Sequence, residues 1–105
     1  MENKLYHAEC GVNAAIALFS GRWKVIILHM LSKNTRRFGE IHARIPTVSK
    51  KVLTEQLKEL EADKLISRKE YKELPPRVEY ALTDFGKSLC PLLADIAAWK
   101  RKSIL

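Results

Sequence analysis

A chain of 105 residues, 47% hydrophobic and 30% charged, has the balance of one globular domain spanning 1–105 and not that of a disordered chain. Lys plus Arg outnumber Asp plus Glu by 19 to 12, and the resulting charge of +7 favours a polyanionic partner, with nucleic acid ahead of an anionic membrane surface. The apolar runs 25–28 and 89–93 fall short of the roughly 18 residues of a membrane span, and Met1-Glu2-Asn3-Lys4 leads into no secretory core, so a cytoplasmic location without a membrane partner is expected.

Val12, Ala15, Ile16 and Phe19 recur at helical spacing, and Gly21 follows where a left-handed residue closes a helix. Trp23, Ile26, Ile27, Met30 and Leu31 form a second stripe, stopped by the polar turn Ser32-Lys33-Asn34-Thr35. Phe38, Ile41, His42 and Ile45 predict a short third helix, which Pro46 ends by disfavouring helical backbone at the residue before it. Ser49 is placed to cap a fourth helix that carries Leu53, Leu57 and Leu60 and runs to about Ala62. Residues 66–72 read as extended, Glu73-Leu74-Pro75-Pro76 as a turn, and Val78, Tyr80 and Leu82 alternate, so a hairpin with a proline tip follows. Thr83 then caps a last helix bearing Phe85, Leu89, Leu92, Leu93, Ile96 and Trp99, with a kink expected at Pro91.

The tight join between the third and fourth helices has the spacing of a helix-turn-helix, and a basic two-stranded hairpin comes directly after it. The expected fold is therefore mainly α with a small β-hairpin wing (α+β), a winged helix-turn-helix. Such a fold suits double-stranded DNA, because its second helix fits the major groove, where base edges can be told apart, while the hairpin reaches the neighbouring backbone. The first turn of the fourth helix offers Ser49, Lys50, Lys51 and Thr54; the wing and its flanks offer Arg37, Arg68, Lys69, Lys72 and Arg77. Further along that helix, Lys58 and Lys64 alternate with Glu55, Glu59, Glu61 and Asp63, a solvated face with i,i+4 pairs. The competing reading is a winged helix used as a protein-interaction module, which would need neither the basic first turn nor the basic wing.

Gly21-Arg22-Trp23-Lys24 with the apolar stripe after it, Arg37-Phe38-Gly39-Glu40-Ile41, Leu53-Thr54-Glu55-Gln56-Leu57-Lys58-Glu59-Leu60, and Pro75-Pro76-Arg77-Val78-Glu79-Tyr80-Ala81-Leu82-Thr83 together resemble the bacterial HxlR-type winged-helix regulators. The resemblance covers 10–99 and implies a homodimer formed through the first and last helices, a roughly palindromic operator and no enzyme activity. It makes Phe19, Leu89, Leu92, Leu93, Ile96 and Trp99 the candidate dimer surface, in keeping with a last helix that is apolar on too many sides for a small monomer to cover. Two positions depart from the pattern: Cys10-Gly11 stands where relatives have Cys-Pro, and Asp63-Lys64-Leu65 where they often have Asp-Gly-Leu, so that Lys64 would occupy a left-handed cap.

Cys10 and Cys90 are too few and too far apart for a disulfide framework and are expected as free thiols. Cys10, just before the first helix, is the candidate redox sensor, since a helix N-terminus favours the reactive thiolate and some HxlR-type relatives sense thiol-reactive agents through a cysteine near this place. A small-molecule or redox effector is thus expected but not identified. His7 and Cys10 lack a second ligand pair at zinc-site spacing, so no metal and no cofactor are expected. His29 and His42 read as structural, and Trp23 and Trp99 as core or dimer residues. No phosphate-binding glycine loop, nucleophile elbow or paired catalytic motif points to an enzyme.

Overall fold

The computed structural model describes residues 11–103. Eight elements follow one another: α1 Gly11–Ala17, α2 Lys24–Lys33, β1 Arg36–Arg37, α3 Phe38–Arg44, α4 Lys50–Ala62, β2 Ile66–Tyr71, β3 Arg77–Leu82 and α5 Asp84–Lys102. The three strands form an antiparallel sheet in the order β1-β3-β2. The helices and the hairpin are those the apolar spacing predicts. β1 is an addition, and at two residues it is too short to display an alternation.

The core is built where the predicted stripes meet. Ile27 and Leu28 of α2, Ile41 of α3, Leu53, Leu57 and Leu60 of α4, and Leu65 and Ile66 entering β2 are all fully buried. Tyr80 and Leu82 close it from the sheet side. α1 buries none of its residues, and its stripe gives way at Ala17 to a turn in which Phe19 N donates to Ile16 O at 3.0 Å. Gly21 follows at φ +108, the left-handed region expected of it.

Three local devices set the angles of the site. His42 Nε2 lies 2.9 Å from Val48 O, tying α3 across the turn to the start of α4 and giving this histidine the structural role expected of it. At the other end of α4, Leu65 N donates to Leu60 O and Lys64 N to Glu61 O, both at 3.0 Å. With Lys64 at φ 64 this is a Schellman stop, and buried Leu60 and Leu65 supply its apolar contact. Thr83 caps α5 by accepting from Gly86 N at 3.0 Å. Gly86 is buried, and the carbonyl of Leu65 approaches it so closely that a side chain there would run into it. Pro91 lies inside α5 without ending it.

Candidate nucleic-acid interface

α4 turns its leucines inward, which leaves its other side free. Ser49 is the N-cap, accepting from Val52 N at 3.0 Å, so the hydroxyl assigned to DNA also organises the helix start. Lys50, Lys51 and Thr54 are exposed on the first turns. The Thr54 hydroxyl donates to Lys50 O at 2.8 Å, which spends its one hydrogen and leaves the oxygen as an acceptor only. No acidic residue lies in that first turn. Its potential combines two lysines with the positive end of the helix dipole, the polarity a phosphate backbone attracts.

Strand alternation divides the wing into two faces. Ile66, Arg68 and Glu70 pair with Leu82, Tyr80 and Val78 on the side of the core, while Ser67, Lys69 and Tyr71 pair with Ala81, Glu79 and Arg77 on the outer side. Lys69 and Lys72 are exposed, with Lys69 Nζ 5.0 Å from the Tyr71 ring centroid. Arg77 is held differently from the free guanidinium that spacing suggests. Its Nη1 donates to Glu73 Oε1 and Oε2 at 2.7 and 2.8 Å, its Nε donates to Glu79 Oε2 at 3.1 Å, and the guanidinium stacks 4.0 Å above Tyr71. Burial works against its charge, but Glu73 and Glu79 outweigh that and hold it above its ordinary range. Arg37 is exposed beside the wing, opposite Glu79, and its backbone N–H donates to Glu40 Oε1 at 2.8 Å.

The tertiary fold brings α4 and the root of the wing together. Thr54, Lys58 and Glu61 of α4 face Arg68 and Tyr80 across one groove. Lys58 and Glu61, assigned from sequence to a solvated helix face, therefore line a groove shared with a strand. Sequence reasoning also passes over Arg36 and Tyr80, which oppose each other across β1 and β3, and the ion pair of Lys24 Nζ with Glu59 Oε1 at 2.7 Å. The alternation of Val78, Tyr80 and Leu82 could have placed Tyr80 inside; two-residue β1 left no signal for Arg36.

The candidate dimer residues fall into two groups. Leu92, Ile96 and Trp99 are exposed along α5, joined by Phe85 on the same helix and by Val12 and Ile16 on α1. Phe19 and Leu89 instead pack against the chain's own core, and Leu93 is half-buried. Trp23 packs on the core as well. Cys90 is half-buried, its thiol donating to Gly86 O at 3.6 Å. Cys10 and His7 lie outside the described residues. Among the described residues no cluster of His, Cys, Asp and Glu could hold a metal, and no helix is long and apolar enough to cross a membrane.

Comparison with known proteins agrees with this geometry. Residues 18–104 match the family described as HxlR-like helix-turn-helix. An HTH-type transcriptional regulator of Methanothermobacter thermautotrophicus is 44% identical over 90 residues, covering 86% of this chain and 69% of that one. The crystal structure of the HTH-type transcriptional regulator YtcD superposes with a TM-score of 0.85 at 39% identity, covering 90% of this chain and 97% of the other. The redox regulator HypR in its reduced form superposes with a TM-score of 0.83 at 34% identity, over 89% of this chain and 92% of HypR.

Proposed function

The chain belongs to the HxlR-like helix-turn-helix family, and on that premise we propose that it is a cytoplasmic homodimeric regulator that binds a roughly palindromic double-stranded operator. The observation that carries this reading is the exposed, acid-free first turn of α4 beside a wing with exposed lysines. Lys50, Lys51 and Thr54 are assigned to base edges in the major groove, while Ser49 sets the helix end that presents them. Lys69, Lys72 and Arg37 are assigned to backbone phosphates, and Arg77 to holding the wing in shape. The single domain 1–105 carries both the DNA surface and, through α1 and α5, the pairing surface. No catalytic step is assigned to it.

Selection of bound fragments with purified protein, followed by anisotropy titration at several salt concentrations, tests the reading. A palindromic consensus whose affinity falls steeply with salt is the expected result. Absence of duplex binding at low salt would overturn it and leave the protein-interaction module.

The likeness to a redox regulator supports a thiol-reactive signal, which we place at Cys10. Cys90 is less suited, since it is half-buried and its thiol is turned to a backbone carbonyl. Diamide should release wild type and Cys90→Ser from the operator and leave Cys10→Ser bound. Release of Cys10→Ser as readily as wild type would remove Cys10 from the model.

A further inference from the structure

Arg36 of β1, Tyr80 of β3 and Arg68 of β2 are direct cross-strand partners. Opposed residues of antiparallel strands project to the same side, and here that is the core side, since Ile66 and Leu82 two positions along the same strands are buried. The sheet thus carries an arginine-tyrosine-arginine row on the face expected to be apolar. Its β2 end opens into the groove whose other wall is Thr54, Lys58 and Glu61 of α4.

The polar groups of this row have unused bonding capacity. Arg36 Nε is buried without a hydrogen-bond partner, which is costly for a cationic group. Arg68 meets Glu70 Oε2 through Nη1 at 3.1 Å and leans on the Tyr80 hydroxyl oxygen, so part of its fork of five donors is still open. The Tyr80 hydroxyl and then the Glu70 carboxylate hold the Arg68 guanidinium above its ordinary range. Lys58 adds a third cation and Glu61 a second carboxylate. Thr54 has already given its hydroxyl proton to Lys50 O, so it shapes the wall and does not donate into the groove.

We propose that the groove between α4 and the root of the wing seats one backbone phosphate of the DNA duplex, bound by the guanidinium of Arg68, the ammonium of Lys58 and the hydroxyl of Tyr80. Arg36 stands behind Tyr80 as an additional positive charge. A planar guanidinium fork beside an ammonium and a hydroxyl donor suits a tetrahedral anion. The seat lies further along α4 than Lys50 and Lys51, so one phosphate gripped there fixes the register in which the first turn meets the bases. The inference rests on the DNA-binding reading and adds to it the point at which helix and wing grip the backbone together.

Arg68→Gln and Lys58→Gln should each weaken binding to operator and random duplex alike, about tenfold, and lower the salt slope by about 1. Tyr80→Phe should weaken both a few-fold with the slope unchanged. Lys51→Ala, measured alongside, should instead change the preference among operators. A wild-type chain that binds no duplex overturns the DNA reading as a whole. A chain that binds duplex while Arg68→Gln and Lys58→Gln keep the wild-type affinity and slope overturns the seat alone. Wild-type protein provides a readout independent of any variant's folding: the NMR signals of Arg68 Nε–H and the Tyr80 ring should move on adding a short duplex, and on adding inorganic phosphate only at far higher concentration. Signals that ignore the duplex, or that respond to phosphate at equal or lower concentration, would overturn the assignment to DNA.

Discussion

At the tip of the wing, Arg77 donates to Glu73 and Glu79 and stacks on Tyr71, so its charge is largely answered within the hairpin. A cation in that position shapes a loop more than it neutralises a phosphate. Arg77→Ala should therefore speed amide exchange across 71–79 and weaken binding to all sequences with the salt slope nearly unchanged; a slope lowered by about 1 would restore it as a phosphate contact. Lys64 holds φ 64, where a Cβ is disfavoured, so Lys64→Gly should raise stability by roughly 0.5–1 kcal/mol in urea unfolding, less whatever the added chain freedom removes. Gly86 has the opposite requirement, because a Cβ there would run into Leu65 O and lie 3.2 Å from Leu82 Cδ2. Gly86→Ala should lower stability by about 2 kcal/mol or more, since the obstacle is backbone and cannot rotate away. An alanine variant as stable as wild type would show that α5 can shift on the sheet.

Between elements, Lys24 is the buried charge that ties α2 to α4. Its side chain is 8% exposed against 56% for Glu59, and this asymmetry sets the sign of two substitutions. Glu59→Gln strands a buried ammonium and should destabilise by roughly 1–2 kcal/mol, less than for a fully enclosed pair because solvent reaches the carboxylate side. Lys24→Met leaves a glutamate that water can solvate and keeps the apolar stem, so its effect should be smaller. Denaturant midpoints in the reverse order would mean that the stem, not the charge, is what α4 leans on. The elements themselves were legible because their apolar residues fall at helical or alternating spacing, and because Pro46, Ser49 and Thr83 mark ends by local chemistry. Which wing cation faces which way was less so. Arg68 and Lys69 are neighbours in one strand and necessarily point to opposite faces, yet they read as one basic surface until the pairing of Arg68 with Tyr80 fixes the register. The groove with Lys58 depends on that register and on the angle of α4, which no spacing in the chain records.

Among the described residues, α1 and the outer side of α5 carry most of the large apolar side chains left without cover, with Val25 and Ile26 of α2 and Leu74 of the wing turn as the others. α1 buries nothing, and Leu92, Ile96 and Trp99 are 58%, 51% and 68% exposed. The radius of gyration of 15.8 Å exceeds the ~13 Å of a compact chain of this length, consistent with helices that project beyond the core. A twofold dimer would cover these surfaces and set two α4 helices for two half-sites of a palindrome. Phe19 and Leu89, which pack inward, would contribute less than the exposed α5 residues. Because Ile96 and Trp99 touch little of the chain's own core, Ile96→Glu combined with Trp99→Ala should leave the monomer fold intact, with helical circular dichroism and a cooperative unfolding transition retained. Sedimentation should show the mass halved. Affinity for the full operator should fall by about a hundredfold, since the second half-site is no longer bound at high effective concentration, while affinity for a single half-site stays at the wild-type value. A wild-type monomer at micromolar concentration, or a double variant that keeps its full-operator affinity, would remove the twofold arrangement and with it the reason to expect a palindrome.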